Sequence, residues 1–254
     1  MAMTRDTHIY GLIGYPLGHS YSADYFNNKF ASEDIDACYM NFELEDVHRL
    51  MDLVAQYPQL NGLNVTAPYK EAVIPLLDEL DDGARAIGAV NVIKFVRDTR
   101  GNLLLLRGYN TDMDGFGRTM NHLLQPGMKR ALVLGTGGAA KAVRYALERM
   151  GLSVQLVSRH KSAQTVVYRE LTKSMVAEHH LVVNATPLGK VPLVDRCPDF
   201  PFRFLSAQHL AYDLIYNPEE TLFMRCAREH GAQVKNGLEM LLLQAFASYE
   251  IWTS

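Results

Sequence analysis

The feature that most restricts the fold is an apolar run followed at once by a glycine-rich turn. Residues 131–134 are Ala-Leu-Val-Leu, and residues 135–138 are Gly-Thr-Gly-Gly. A segment of helical period follows, Ala139 to Met150, and Gly151 stands where a glycine commonly closes a helix. A short apolar run that leads into a turn and a helix is typical of a buried strand in a parallel sheet. The sequence therefore predicts a strand–turn–helix unit here.

The rest of the chain alternates short apolar runs with longer segments of helical period, which predicts an α/β fold with parallel strands. A chain of 254 residues is long for one compact domain and adequate for two small ones. The predicted strands are Ile9–Gly14, Cys38–Phe42, Leu63–Val65, Ala89–Val96, Leu103–Leu106, Ala131–Leu134, Val154–Val157, Leu181–Asn184 and Leu210–Leu214, with the fourth and fifth paired as a hairpin. The predicted helices are Asp24–Ala31, Leu44–Ala55, Ala139–Met150, Glu219–Glu229 and Leu238–Tyr249.

Charge and cysteine usage exclude several classes of protein. The net charge of −3 offers no basic face for nucleic acid, and no apolar run reaches the roughly 18 residues of a membrane span. The polar N-terminus lacks the features of a secretory signal. Three scattered cysteines give neither a disulfide framework nor the spacing of a metal site. We expect a cytoplasmic protein that has no metal and contacts neither nucleic acid nor membrane.

The glycine-rich turn has the spacing of a dinucleotide-binding fingerprint, Gly135-x-Gly137-x-x-Ala140. The two glycines permit a tight turn and a close approach to a pyrophosphate, and the alanine lets the helix pack against the strand. The helix N-terminus then presents free N–H groups to the phosphates. The alternative is a glycine turn in some other α/β unit. The residues expected to contact the cofactor here are Gly135, Thr136, Gly137, Gly138, Ala139 and Ala140.

The next predicted strand ends in Ser158-Arg159-His160-Lys161, where an NAD-binding protein usually places an acidic residue. A guanidinium can stack on adenine and bond a 2′-phosphate, so Arg159 favours NADP (NADPH) over NAD. No acidic residue is visible beside Arg159 in the sequence. Basic residues at the end of a strand are also common on protein surfaces, which is the alternative interpretation.

Three polar clusters in the first 112 residues are candidates for substrate chemistry. Ser20 and Ser22 precede a predicted helix and can bind a small carboxylate or cap the helix. Lys70 follows a predicted strand, where a lysine is often a solvated charge. Asp112 ends an extended segment before a helix and is equally a candidate N-cap.

These clusters and the glycine turn occur in an order that resembles the shikimate dehydrogenase family (shikimate/quinate dehydrogenases). The resemblance spans nearly the whole chain, and nine ordered motifs are more specific than any single one. They are GLIGYPLGHSYS (11–22), NVTAPYK (64–70), GAVN (88–91), YNTDMDG (109–115), LGTGGAAKA (134–142), SRHK (158–161), NATPLG (184–189), DLIYNPEET (213–221) and NGLEMLLLQA (236–245).

The resemblance implies two domains: residues 1–113 with 238–254 bind the substrate, and residues 114–237 form a Rossmann-like NADP-binding domain. It implies that 3-dehydroshikimate is reduced reversibly to shikimate, a step of chorismate and aromatic amino-acid biosynthesis. Lys70 and Asp112 form the implied catalytic dyad, because a lysine beside an aspartate can exchange the proton of the reacting hydroxyl. The implied substrate-binding residues are Ser20, Ser22, Thr66, Lys70, Asn91, Asp112, Tyr216 and Gln244.

On the cofactor side the resemblance adds Asn184, Thr186, Leu214, Gly237 and, as a weaker contact, Asp82 to the basic cluster Ser158, Arg159, His160 and Lys161. The alternatives left open are a quinate/shikimate dehydrogenase that uses NAD, a paralogue with a shifted substrate, and a non-catalytic NADPH-binding module. The expected assembly is a monomer or a homodimer.

Overall fold

The computed structural model describes residues 7–18 and 21–254. The chain divides into two compact units. The first consists of the N-terminal part up to Thr111 together with residues 245–254, and the second consists of residues 112–244. Each unit holds one six-stranded sheet with helices, which confirms the α/β class. The domain limits implied by the family resemblance fall after residues 113 and 237. The assignment of one domain to the substrate and the other to NADP stays a prediction.

The elements follow one another in an α/β alternation. The first unit contains strands β1 His8–Gly14, β2 Ala37–Glu43, β3 Leu60–Val65, β4 Glu79–Leu80, β5 Val92–Arg97 and β6 Leu103–Tyr109, and helices α1 Tyr21–Ser32, α2 Leu50–Gln56, α3 Tyr69–Ala72 and α4 Asp82–Ile87. The second contains α5 Asp112–Met120, β7 Arg130–Leu134, α6 Gly138–Arg149, β8 Ser153–Ser158, β9 Thr165–Val167, α7 Lys173–Glu178, β10 Leu181–Asn184, β11 Leu210–Asp213, α8 Leu222–Glu229 and β12 Gln233–Lys235. Helix α9, Leu238–Thr253, contributes residues to both units.

The sheet of the first unit has the order β2-β1-β3-β5-β6-β4, and apolar clusters pack on its two faces. Strand β1 is parallel to β2 and β3, as the predicted α/β fold requires, whereas β5 is antiparallel to β3 and β6. The antiparallel pairing of β5 with β6 confirms the predicted hairpin. Side chains alternate along β1: Ile9 and Ile13 enter one apolar cluster, and Tyr10 enters a second, aromatic one. This alternation allows helices to cover both faces.

The aromatic face depends on the C-terminal helix α9. The Trp252 ring stacks on Tyr10 at 4.9 Å between centroids, and its Nε1 donates to the Ile93 carbonyl at 3.1 Å. A side chain at Gly62 would collide with the indole, so only glycine fits beneath it. The end of the chain is therefore part of the first unit's core.

The sheet of the second unit is entirely parallel, in the order β12-β11-β10-β7-β8-β9. Apolar clusters lie on both of its faces, as continuous apolar strands require. Strand β7 lies between β10 and β8, so successive connections leave it in opposite directions. Ligands bind at such a switch point, beyond the carboxyl ends of the strands.

Element boundaries differ from the predictions where side chains cap helices. The helix predicted from Leu44 begins as a 3₁₀ turn at Val47, because Asp46 is extended and accepts the His48 N–H. The helix predicted from Glu219 begins at Leu222, because Thr221 caps it. The short helices α3, α4 and α7 were missed. Within the described ranges, no helix combines the length and the apolarity of a membrane span.

Candidate functional site

A buried hydrogen-bond network connects distant segments of the first unit. Tyr39 Oη donates to Asn64 Oδ1 at 2.8 Å, and Asn64 Nδ2 donates to Ser248 Oγ at 3.0 Å. The Ser248 and Thr111 hydroxyls are 3.1 Å apart. Asn91 Nδ2 donates to Thr111 Oγ1 at 3.0 Å, and Asn91 Oδ1 accepts the Thr111 N–H at 2.7 Å. Satisfied buried polar groups hold one geometry, so the network fixes the segment that precedes Asp112.

The same network reaches Lys70 through the main chain. Lys70 lies in helix α3, and its carbonyl accepts the N–H of Val90 at 2.7 Å. Asn91, the next residue, is 2% exposed. Thr66 follows β3 and its N–H donates to the Ile13 carbonyl at 2.9 Å. The Tyr69 N–H donates to the Thr66 carbonyl at 3.0 Å, and the Val65 N–H donates to the Asn91 carbonyl at 2.8 Å. The first unit thus brings together the backbones of the predicted residues Thr66, Lys70 and Asn91.

Asp112 is the first residue of α5, with 5% exposure. The expectation of an extended segment up to Asp112 needs correction, because the aspartate is already helical and is not an N-cap. A carboxylate in the first turn of a helix is stabilised by the helix dipole. Asp112 begins the second unit and Lys70 belongs to the first, so their pairing stays a prediction.

Of the two predicted serines, Ser22 is described and Ser20 lies outside the described residues. Ser22 is the second residue of α1 and half-buried, so it is not the N-cap of that helix. Its hydroxyl interacts with the Tyr39 phenol. Burial raises the pKa of Tyr39 well above its ordinary value, and the interaction with Ser22 opposes that rise. Ser22 therefore joins the buried network through Tyr39.

The remaining predicted substrate residues lie in the second unit. Gln244 is 8% exposed in α9, and its Nε2 donates to the Leu241 carbonyl at 2.9 Å. Tyr216 is half-buried in the segment after β11. Asp82, the weakest cofactor candidate, is exposed at the start of α4 in the first unit. It therefore does not share a unit with the other cofactor candidates.

The glycine turn has the geometry that a pyrophosphate needs. Gly135 has a φ of +116°, and a side chain there would press on the Ala185 carbonyl. Gly137 is the N-cap of α6 and faces open space, and no side chain caps the helix. Ala140 is buried in the core. With Thr136, Gly138 and Ala139 beside them, these residues leave uncapped N–H groups at a helix N-terminus, which fits a dinucleotide phosphate.

The basic cluster follows β8 at the same edge of the sheet. The Ser158 hydroxyl accepts the His160 N–H at 3.2 Å, and Arg159 and His160 are exposed. Lys161 Nζ lies 2.5 Å from Glu170 Oε1. The sequence shows no acid next to Arg159, but the fold brings Glu170 to the cluster. The cluster is therefore cationic with one internal counter-charge.

A buried carboxylate organises the ends of β10 and β11. Asp213 is fully buried and accepts hydrogen bonds from Thr221 Oγ1 at 2.6 Å, Ile215 N at 3.0 Å and Asn184 Nδ2 at 3.1 Å. Asn184 Oδ1 in turn accepts the Thr186 hydroxyl at 2.7 Å. Burial raises the pKa of Asp213 to about 6, against the lowering effect of these donors. The predicted residues Asn184 and Thr186 are thus held by a group that sequence reasoning missed.

Leu214 and Gly237 meet through their backbones in the second unit. A side chain at Gly237 would collide with the Leu214 carbonyl oxygen. The Leu214 N–H donates to the Asn184 carbonyl at 3.0 Å, and the Gly237 N–H donates to the Ile215 carbonyl at 3.0 Å. The structure therefore places Leu214, Gly237 and Asn184 in one backbone cluster, and the glycine is required by the close approach.

The residues that sequence reasoning missed are Tyr39, Asn64, Thr111, Ser248, Glu170 and Asp213. A weak signal was present for three of them: Asn64, Asp213 and Ser248 are polar residues inside apolar runs. Buried polar groups need partners, so such residues indicate a network. Their partners are distant in the sequence, which hides the pairing.

Comparison with known proteins places these features in context. Residues 12–93 match the family model described as the shikimate dehydrogenase substrate binding domain. The chain is 39% identical to the shikimate dehydrogenase (NADP(+)) of Desulforamulus reducens, over 97% of this chain and 90% of that protein. Two crystal structures of shikimate dehydrogenases are similar in fold to this chain. That from Aquifex aeolicus has a TM-score of 0.84 and 34% identity over 99% of this chain and 94% of its own. That from Thermus thermophilus, in complex with NADP(H) and shikimate, has a TM-score of 0.82 and 29% identity over 97% and 93%.

Proposed function

The chain belongs to the shikimate dehydrogenase family, and we propose that Lys70 and Asp112 carry the proton chemistry of its reaction. The reaction is the reversible NADPH-dependent reduction of 3-dehydroshikimate to shikimate, a step in aromatic amino-acid biosynthesis. The observation that carries the residue assignment is a pair of neighbouring residues in the first unit. The Val90 N–H donates to the Lys70 carbonyl, and the side chain of the next residue, Asn91, accepts the N–H of Thr111, the residue before Asp112.

The substrate side divides into binding and proton transfer. Ser20 and Ser22 hold the carboxylate, and Thr66, Asn91, Tyr216 and Gln244 surround the ring hydroxyls. Bound NADPH supplies the hydride that the carbonyl carbon accepts. Lys70 gives a proton to the developing alkoxide and stabilises its charge, and Asp112 orients the ammonium group and exchanges the proton with it.

The cofactor side uses the carboxyl edge of the parallel sheet. Gly135, Gly137 and the first turn of α6 hold the pyrophosphate with backbone N–H groups. Arg159, with Ser158, His160 and Lys161, binds the 2′-phosphate. Asn184, Thr186, Leu214 and Gly237 line the nicotinamide half. Asp82 is a further contact from the first unit.

The activity is tested by following nicotinamide absorbance with shikimate or quinate and with NADP⁺ or NAD⁺. We expect shikimate with NADP⁺ to give the highest kcat/KM of the four combinations. A preference for quinate with NAD⁺ would replace this function with that of a quinate dehydrogenase. Absence of turnover together with NADPH binding would identify a non-catalytic module.

Replacing Arg159 with glutamine should weaken NADP⁺ binding by roughly 1.5–3 kcal/mol, the loss expected for a hydrogen bond to a charged group. Binding of NAD⁺, which lacks the 2′-phosphate, should hardly change. Dissociation constants from titration calorimetry measure both effects. Equal losses for the two cofactors would contradict the 2′-phosphate assignment.

Replacing Ser22 with alanine should raise the KM for shikimate by a similar free energy, roughly 1.5–3 kcal/mol, because a hydroxyl donor to the carboxylate is lost. The matched control is Ser32→Ala in the same helix, since the Ser32 hydroxyl is exposed and bonds only the Lys29 carbonyl at 3.0 Å among the contacts described. A methyl ester of shikimate should bind poorly and respond little to Ser22→Ala. An unchanged KM would rule out carboxylate binding by Ser22.

The proposal extends to the setting of the enzyme. Three half-buried free cysteines suit a reducing compartment such as the cytoplasm. The proposed assembly is a monomer or a homodimer, which size-exclusion chromatography with light scattering distinguishes. The partner in either case is the small-molecule substrate.

A further inference from the structure

The loop between β8 and β9, residues 159–164, is built by its own hydrogen bonds. The Thr165 hydroxyl donates to the His160 carbonyl at 3.0 Å and accepts the Ser162 N–H at 2.9 Å. The Ser162 hydroxyl accepts the Gln164 N–H at 3.2 Å. Thr165 is buried, so the loop is anchored to the sheet. The backbone that bears the basic side chains of the loop is therefore held in a defined conformation.

Glu170 lies against this loop from the 3₁₀ turn that follows β9. Its Oε2 accepts the Val167 N–H at 3.2 Å, and its Oε1 lies 2.5 Å from Lys161 Nζ. The hydrogen bond from Lys161 is the main cause of a lowered pKa for the Glu170 carboxyl, followed by that from Val167. The Lys161 side chain is 68% exposed and that of Glu170 is 33% exposed. Glu170 is thus the better fixed partner, and it holds the lysine.

The position of this ion pair matters for the choice of cofactor. The residues after the second strand of a dinucleotide fold meet the ribose 2′ position, where a hydroxyl or a phosphate is recognised. A 2′-phosphate carries close to two negative charges at neutral pH, and cations attract it. A lysine already paired with a carboxylate contributes less of its charge. The Lys161–Glu170 pair therefore reduces the advantage of NADP over NAD.

We propose that Glu170 is a specificity-determining residue that limits the preference for NADP(H) over NAD(H) by holding Lys161. The inference rests on the proposed function, in which this loop receives the 2′-phosphate. Without Glu170, Lys161 turns to the phosphate beside Arg159. With Glu170, the basic cluster retains selectivity from Arg159 and His160 and loses part of the contribution of Lys161.

The test is titration calorimetry of NADP⁺ and NAD⁺ binding to the wild-type protein and Glu170→Gln. Exposed ion pairs are weak, so we expect the dissociation constant for NADP⁺ to fall about two- to fivefold. The constant for NAD⁺ should not change. Added KCl screens exposed charges and should reduce the gain. An unchanged NADP⁺ constant, or an equal gain for both cofactors, would overturn the inference.

Two further variants identify the route of the effect. In a Lys161→Gln background, Glu170→Gln should no longer tighten NADP⁺ binding, because Glu170 acts through the lysine. Persistence of the full gain would show that Lys161 is not the intermediary. Glu178→Gln is the matched control, since Glu178 is an exposed acid of the same unit that pairs with Arg130. A gain in this control equal to that in Glu170→Gln would contradict a local effect.

Arg159→Gln, measured in parallel, distinguishes a failure of the proposed role of Glu170 from a failure of the proposed 2′-phosphate site. Loss of NADP⁺ affinity in this variant with no change in Glu170→Gln overturns the role of Glu170 alone. If neither variant alters NADP⁺ binding, the 2′-phosphate does not lie in this loop and the proposed cofactor site also fails.

Discussion

Lys70→Ala is expected to lower kcat for shikimate oxidation by roughly 10²–10⁴-fold, the range for a positioned acid–base group. The alanine variant lacks both the proton carrier and the charge that stabilises the alkoxide. NADPH affinity should stay nearly constant, because the cofactor candidates lie mainly in the second unit. Steady-state kinetics and a fluorescence titration of NADPH measure the two quantities.

The same experiment separates a dyad from two independent residues. Residues that act as one unit are non-additive, so Lys70→Ala combined with Asp112→Asn should be little slower than the slower single variant. Lys173→Ala is the control, because Lys173 is an exposed lysine at the start of α7. Multiplicative losses would assign separate roles to Lys70 and Asp112. Near-normal turnover in Lys70→Ala would remove the lysine from the chemistry altogether.

The free energy of unfolding of Asp213→Asn, taken relative to wild type, is expected to change with pH by on the order of 3 kcal/mol. Burial raises the pKa of Asp213 from its ordinary 3.8 to about 6 in the folded protein. The protonated carboxyl therefore stabilises the fold, fully below pH 3.8, and that contribution is lost as the pH rises through about 6. Asparagine does not titrate, and its amide oxygen can still accept from Asn184 and Ile215.

Urea unfolding followed by circular dichroism, at about pH 4 and about pH 7.5, measures this effect. Wild type loses the contribution of the protonated Asp213 between these pH values, and Asp213→Asn does not. The free energy of unfolding of the variant relative to wild type should therefore be higher at about pH 7.5 than at about pH 4, by on the order of 3 kcal/mol. The difference between the two pH values cancels the pH-independent change in hydrogen bonding. Glu229→Gln, at an exposed acid of the same unit, should show no such difference. A flat relative profile for Asp213→Asn would mean that the carboxyl titrates as in the unfolded chain.

Local chemistry explains which elements the sequence predicted. The run Ala131–Leu134 is apolar throughout and lies fully buried in β7, and Gly135 adopts the positive φ that the turn needs. The hairpin of β5 and β6 was also predicted correctly. The boundaries failed at Asp46 and Thr221, whose side chains decide where a helix begins. Several polar residues near the start of each helix can serve either as its cap or as a helical residue, and tertiary contacts decide which one becomes the cap.

The sequence alone determined the parallel sheet with its glycine turn, and it supplied the ordered motifs that resemble one family. Those properties reside in neighbouring residues, whose apolar pattern and backbone freedom act over a few positions. Only the tertiary structure decided the partners of the buried polar groups. Asn64 and Ser248 are 184 residues apart in the chain, and their hydrogen bond exists because α9 packs on the sheet that contains β3. Lys161 and Glu170 likewise meet because β8 and β9 pair in parallel, a register that no local pattern specifies.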